Sequence, residues 1–148
     1  MGKKDQPLAS AAIHKFLLIH RHLRRYARQI DSQGISPRQL AVLRFLSENG
    51  PATVGEVQDY IYTSASTAST VISQLEQSGH VTRARSNEDN RVVIVEITAK
   101  GRDTAANTPI GGIALLRRRL ISLPEDRLRQ IDNALAELID LMEVTESE

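Results

Sequence analysis

Cysteine is missing altogether from the 148 residues, which excludes disulfide frameworks, Cys-based zinc sites, thiol catalysis and thiol redox sensing. Aromatic residues are scarce at 3 % (Phe16, Phe45, Tyr26, Tyr60 and Tyr62). A core must therefore be assembled from Leu, Ile, Val and Ala, a palette that suits helix packing. Long apolar runs are absent too: the stretch at 13–19 is interrupted by His14 and Lys15 and is far too short to span a bilayer. With no signal-peptide pattern either, the expectation is a cytoplasmic protein with no membrane partner. The sequence also lacks a phosphate-cradling glycine loop, a nucleophile elbow, a metal-ligand cluster and an isolated carboxylate pair. It is expected to be no enzyme, with no catalytic residue, cofactor or metal.

What is present suffices for one domain with a real core, and is too short for two large ones. Hydrophobic residues make up 41 %, ordinary for a folded chain. The net charge of +1 conceals an uneven distribution. Residues 1–35 hold seven basic and two acidic side chains, net +5; residues 36–101 hold six and seven, net −1; the remainder holds six and nine, net −3.

Residues 1–6 read as a polar tail. From Pro7 to Ile30, apolar residues at Ile13, Phe16, Ile19, Leu23, Tyr26 and Ile30 recur three and four apart, the stripe of a helix offered to a partner. Ser36-Pro37-Arg38-Gln39 starts a second helix with a capping Ser, a proline at the first position and Gln three residues on, and Leu40, Leu43 and Leu46 form its inner face. Thr53-Val54-Gly55-Glu56 is another capping box, with Val54, Val57, Tyr60 and Ile61 expected inside. Ser64 can cap the next helix, in which Ala68, Val71, Ile72 and Leu75 keep core spacing and Gly79 stands at the C′ position. Two β-branched runs, 81–85 and 92–97, flank a polar loop and predict an antiparallel hairpin. Thr98 caps a helix toward Leu120 that Pro109, Gly111 and Gly112 should kink or break. Ser122-Leu123-Pro124-Glu125 reads as a capping box for a last helix striped by Leu128, Ile131, Leu135, Leu138 and Met142.

Three short helices followed by an Arg-bearing ribbon describe a winged helix-turn-helix. The fold class is mainly α with a small two- or three-stranded β wing. The joint order of Ser36-Pro37-x-Gln39, Gly79-x-Val81-x-Arg83, Asp89-x-Arg91 and Thr98-x-Lys100-Gly101 resembles the MarR family of transcription regulators. The likeness is specific over 36–101 and looser in the flanking helices. It implies a homodimer on a pseudo-palindromic operator in double-stranded DNA, with release by an unidentified small-molecule effector that enters between the two regions. The expected organisation is a dimerisation helix in 1–35, the winged helix-turn-helix in 36–101 and dimerisation helices in 102–148, intertwined as a single domain. Ile13, Phe16, Ile19, Leu23, Leu128, Ile131, Leu135, Leu138 and Met142 would line the dimer interface, since a monomer would leave long apolar stripes wet.

If the apolar residues of 64–78 face inward, Ser66, Thr70, Ser73 and Gln77 face outward, flanked by Thr67, Ser69 and Gln74. Together with Ser64 these make the candidate base-reading face. This segment has no Arg or Lys, unlike many relatives, so it offers hydroxyls and methyls but no bidentate guanine contact. The alternative is a merely solvated face. Arg91 at the hairpin tip can enter a minor groove, where narrow A·T tracts concentrate negative potential; the alternative is an ordinary charged turn. Asp89 would structure the wing by pairing with a basic side chain. Arg83 and Arg85 could grip phosphate or anchor Asp89, while Arg38 and the helix N-termini at Pro37 and Val54 are further phosphate candidates. The basic face of Arg21, Arg24, Arg25 and Arg28 reads better as solvated, or as paired across a dimer with the acidic last helix, than as a DNA arm. The four histidines do not share a ligand face. The rival to a DNA reader is a winged-helix protein-interaction module, which the near-neutral centre keeps open. Pro109, Gly111 and Gly112 could form a hinge for ligand switching or a fixed kink.

Overall fold

The computed structural model describes residues 6–145. The expected tail lies outside the described residues except for Gln6, which already belongs to α1 (Gln6–Asp31). The chain divides into two compact units, one ending at Gly112 and one beginning at Ile113. No helix among the described residues is long and apolar enough to cross a membrane.

In the first unit, α1 is followed by α2 (Pro37–Asn49), β1 (Ala52–Thr53), α3 (Val54–Ile61), α4 (Ala65–Gln77), β2 (Val81–Arg85), β3 (Val93–Ile97) and α5 (Ala99–Asn107). The starts of α2 and α3 have a cause in sequence. Ser36 Oγ accepts from the Gln39 N–H at 3.1 Å while the Ser36 N–H donates to Gln39 Oε1 at 2.9 Å, and Thr53 and Glu56 repeat the exchange at 3.1 and 2.7 Å. The three strands form an antiparallel sheet in the order β1-β3-β2, with Ala52 opposite Val95 and Val81 opposite Ile97. The hairpin was expected; β1 is too short to carry a periodic signal, and its pairing is visible only in three dimensions.

The core is aliphatic, as the scarcity of aromatics demands. Leu40, Val42, Leu43 and Leu46 of α2 meet Val57, Val71, Ile72, Leu75, Val81, Val95 and Ile97, with Ile30 and Ile35 closing one side. Val54, Tyr60 and Ile61 are only half-buried, because α3 lies at the edge of this core; the Tyr60 ring stacks on Phe45 with centroids 4.5 Å apart.

The helix after Thr98 breaks as expected, with α5 ending at Asn107. The break is gripped by two side chains that the sequence did not single out for it. Arg44, buried on α2, donates through Nη2 to the carbonyls of Thr108 and Pro109, both at 3.0 Å, which supplies partners to acceptors that a helix end leaves open. Tyr26 Oη donates to the Pro109 carbonyl at 3.1 Å. The Tyr26 ring also fills the space beside both glycines: a Cβ would come within 2.5 Å of it at Gly111 and 2.8 Å at Gly112. Close packing thus accounts for these glycines, and the fixed-kink alternative has a structural basis.

The second unit comprises most of α6 (Gly112–Ile121) and α7 (Glu125–Leu141). The capping box expected at 122–125 does not form. Ser122 Oγ donates back to the Arg119 carbonyl at 2.8 Å, and Ser122 and Leu123 close the preceding helix with N–H bonds to Arg119 and Leu120. Pro124, which takes the N-cap place, has no side-chain cap bond to give.

Candidate nucleic-acid interface

Two capped helices separated by Tyr62, Thr63 and Ser64 form the helix-turn-helix. Ala68, Val71, Ile72 and Leu75 of α4 are all buried. That geometry turns Ser66, Ser69, Thr70 and Gln77 to solvent, with Thr67 and Ser73 half-exposed. The hydroxyls are not equally available. Ser64 Oγ accepts from the Thr67 N–H at 3.2 Å, donates to Thr67 Oγ1 at 2.9 Å and lies 3.2 Å from Ser66 Oγ. Thr70 Oγ1 donates to the Ser66 carbonyl at 2.9 Å. Gln74, expected at the flank, accepts from Gln39 Nε2 at 2.9 Å and so ties α4 to α2.

The C-terminal end of α4 is joined to the ribbon by a dense clasp. Gly79, at φ +78°, gives its N–H to the Glu76 carbonyl while the His80 N–H reaches Leu75, the paired bonds of a Schellman stop. From the far side, Thr98 Oγ1 donates to the Gly79 carbonyl and Lys100 Nζ to the Ser78 carbonyl, each at 2.6 Å. A Cβ on Gly101 would run into the His80 carbonyl. Thr98-x-Lys100-Gly101 is therefore a seam between α5 and the start of β2. His80 Nδ1 lies 2.7 Å from Ser78 Oγ, and burial followed by the charge of Lys100 pushes its imidazole below the ordinary value.

Strand alternation puts Arg83 and Arg85 on the same face as Val81, opposite Val95 and Val93. Neither anchors Asp89, so that expectation is corrected. Arg83 Nη2 instead donates to Glu76 Oε1 of α4 at 3.0 Å, and this hydrogen bond and charge hold the Glu76 carboxyl below its ordinary value. Arg85 Nη1 donates to the Asn90 carbonyl at 2.7 Å, bracing the wing loop. Asp89 Oδ1 accepts from the Arg91 N–H at 3.0 Å and from Arg91 Nε at 3.4 Å. The acid thus shapes the tip through the arginine itself, whose side chain remains 93 % exposed.

Arg38 is exposed on the first turn of α2, and Val54 opens α3, half-buried. Sequence reasoning did not single out Glu76 as the partner of Arg83, because seven residues and a chain reversal separate them. Away from the winged region, Ile13, Phe16 and Ile19 of α1 are exposed and Leu23 is half-buried; Leu135, Leu138 and Met142 at α7 are exposed, with Leu128 and Ile131 half-buried.

Comparison with known proteins gives a consistent result. The chain is 24 % identical to the HTH-type transcriptional repressor MdtR of Bacillus subtilis over 148 residues, which is all of this chain and 96 % of that one. Among solved structures, AbsC, a MarR family transcriptional regulator from Streptomyces coelicolor, superposes with a TM-score of 0.65 at 19 % identity, covering 98 % of each chain. Reduced AbfR bound to DNA gives a TM-score of 0.60 at 24 % identity, over 96 % of this chain and 99 % of that one. The model of the MarR family matches residues 35–93. That segment runs from the residue before the α2 cap to the first residue of β3, and over it the chain is similar to the MarR family.

Proposed function

We propose that this protein is a sequence-specific double-stranded-DNA-binding transcriptional regulator, a repressor that acts as a homodimer on a pseudo-palindromic operator. The observation that carries the reading is the pairing of an outward, hydroxyl-bearing face on α4 with a wing arginine held by its backbone and almost fully exposed. The name of MdtR supports the sign of regulation, and the DNA-bound AbfR supports the partner. The exposed apolar stripes of α1 and α7 support self-association. A dimer would set two copies of α4 about 34 Å apart, one turn of duplex.

In the division of labour, α4 reads base edges and thymine methyls in the major groove, and Arg91 probes the adjacent minor groove. Arg38 and the first turns of α2 and α3 hold phosphate. Arg85 acts through the wing loop, and Arg83 is held to α4 by Glu76. The absence of cysteine excludes thiol oxidation as the signal that would release DNA.

The test is retention of duplexes selected from a random pool, followed by titration with salt. Retention that weakens as salt rises, and falls about tenfold further in Arg91→Ala, is the expected result. A protein-interaction module would retain no duplex. A chain that stays monomeric at micromolar concentration would overturn the dimer.

A further inference from the structure

α1 and α7 each carry a charged face left open to solvent, and the two charges are opposite. On α1, Arg21, Arg24, Arg25 and Arg28 recur at the i, i+3, i+4 and i+7 spacing of one helical face, and all four are exposed. No acidic residue accompanies them between Gln6 and Ile30. Like charges so placed destabilise their own helix, a cost that an opposing surface removes. An open furrow of about 400 Å³ follows this face, with Leu17 and His20 sharing its walls with the arginines. On α7, none of the 17 residues is buried, although a helix in water draws most of its stability from a packed face. Glu125, Asp126, Asp132, Glu137 and Asp140 outnumber Arg127 and Arg129 there by five to two, and Arg129 is already paired with Glu125 at 2.6 Å. None of the four α1 arginines forms an ion pair or side-chain hydrogen bond with a described residue, and the same holds for Asp126, Asp132, Glu137 and Asp140.

We infer that the arginine row of α1 docks on the acidic face of α7 in a second copy, and that two such ionic seams, related by a twofold axis, set the register in which the apolar stripes meet. This rests on the homodimer proposed above and deepens it, since it names which helix of one protomer meets which helix of the other and by what chemistry. Charge is the first support: four bases without an acid give +4 on α1, and two bases against five acids give −3 on α7. Complementary charge fixes partner and register more than it adds affinity. Length is the second, because Arg21 to Arg28 rises about 10 Å and Asp132 to Asp140 about 12 Å. Apolar flanks are the third. Leu17 beside the arginines is 49 % exposed, and Leu135 and Ile139 beside the acids are 51 % and 50 % exposed. Asp132 itself rims a second furrow of about 400 Å³ walled by Leu120, Leu128, Ile131 and Leu135. A nucleic-acid arm would account for the arginines and leave the α7 acids unanswered.

Sedimentation equilibrium of the full chain tests the seam. The dimer dissociation constant should rise at least about tenfold between about 0.1 and about 1 M sodium chloride, as the screening length shrinks from about 10 to about 3 Å; apolar contact is not screened in this way. Arg24→Glu with Arg28→Glu, and separately Asp132→Arg with Asp140→Arg, should each weaken self-association at least about tenfold. Mixed in equal amounts, the two variants should form a heterodimer in preference to either homodimer, because only there does each reversed row face its opposite. Reversed variants that self-associate within about twofold of the unaltered protein would overturn the inference, and so would a statistical mixture of dimers or variants that stay monomeric when mixed. An unaltered dimer indifferent to salt would overturn it too, while leaving the homodimer itself standing. An unaltered protein that is monomeric throughout removes the homodimer and the seam together. If Arg24→Glu with Arg28→Glu loses duplex retention with its dimer intact, the arginine row belongs to DNA and the inference falls.

Discussion

Apolar residues three and four apart mark both α2 and the N-terminal half of α1, yet the two stripes meet opposite fates. Leu40, Leu43 and Leu46 are sealed inside the winged core, whereas Ile13, Phe16 and Ile19 stand in solvent. α1 even changes character along its length, since Tyr26 and Ile30 near its C-terminal end pack against their own chain. Periodicity therefore reports that a face wants a partner and is silent on whether that partner is covalently attached. α7 repeats the lesson with Leu135, Leu138 and Met142 exposed.

Four measurements would break or sharpen this contrast. The largest effect is expected at the sealed stripe: Leu43→Ala should lower unfolding free energy by about 2–5 kcal/mol, read by denaturant titration. A cost under about 1 kcal/mol would mean that the site collapses around the gap. Next comes the packed end of α1, where Gly111→Ala forces a methyl against Tyr26 and should cost about 1–3 kcal/mol, relieved in part by Tyr26→Leu. An undiminished midpoint would show that the ring moves aside freely. On the bare stripes, Leu138→Glu should change the stability of the winged unit by no more than about 0.5 kcal/mol while weakening self-association at least about tenfold. Sedimentation that shows an unchanged dimer would remove α7 from the interface.

The smallest effect concerns acid. Glu76 has its folded value lowered by Arg83, so its contribution to stability is complete above the ordinary 4.5 and is lost as pH falls through the lower folded value. The His80 imidazole, also lowered, works in the same direction at higher pH: full above the ordinary 6.5, declining as the solution acidifies. Thermal midpoints of Glu76→Gln and the unaltered protein should therefore converge at low pH. Curves that stay parallel would show that the pair adds nothing to folding.

Much of the winged region was legible in the sequence because its signals are local. Ser36 with Gln39, Thr53 with Glu56 and Gly79 after α4 each act within a few residues, and each does what its spacing implies. Strand Val93–Ile97 begins one residue later than expected, since the Val92 N–H turns to Asp89 instead of joining the ladder. What stayed hidden was long-range. Nothing near Arg44 in the chain announces that its guanidinium will cap carbonyls 64 and 65 residues away, and a buried arginine looks like a surface one until its partner is placed. The box at 122–125 misled for a related reason: Ser122 had a nearer acceptor in the helix it was leaving. Within the candidate interface, the outward face of α4 followed from the inward one. The ion pair that binds Arg83 to Glu76 could not be read from residues that lie on different elements.

The tie between Arg83 and Glu76 has a consequence for how such a protein would behave among genomic DNA. With one wing cation already neutralised from within, and no Lys or Arg on α4, few phosphates are engaged wherever the sequence is wrong. Copies of the protein would then linger only briefly at unrelated sites, and a small cellular supply would suffice to keep a matching operator occupied.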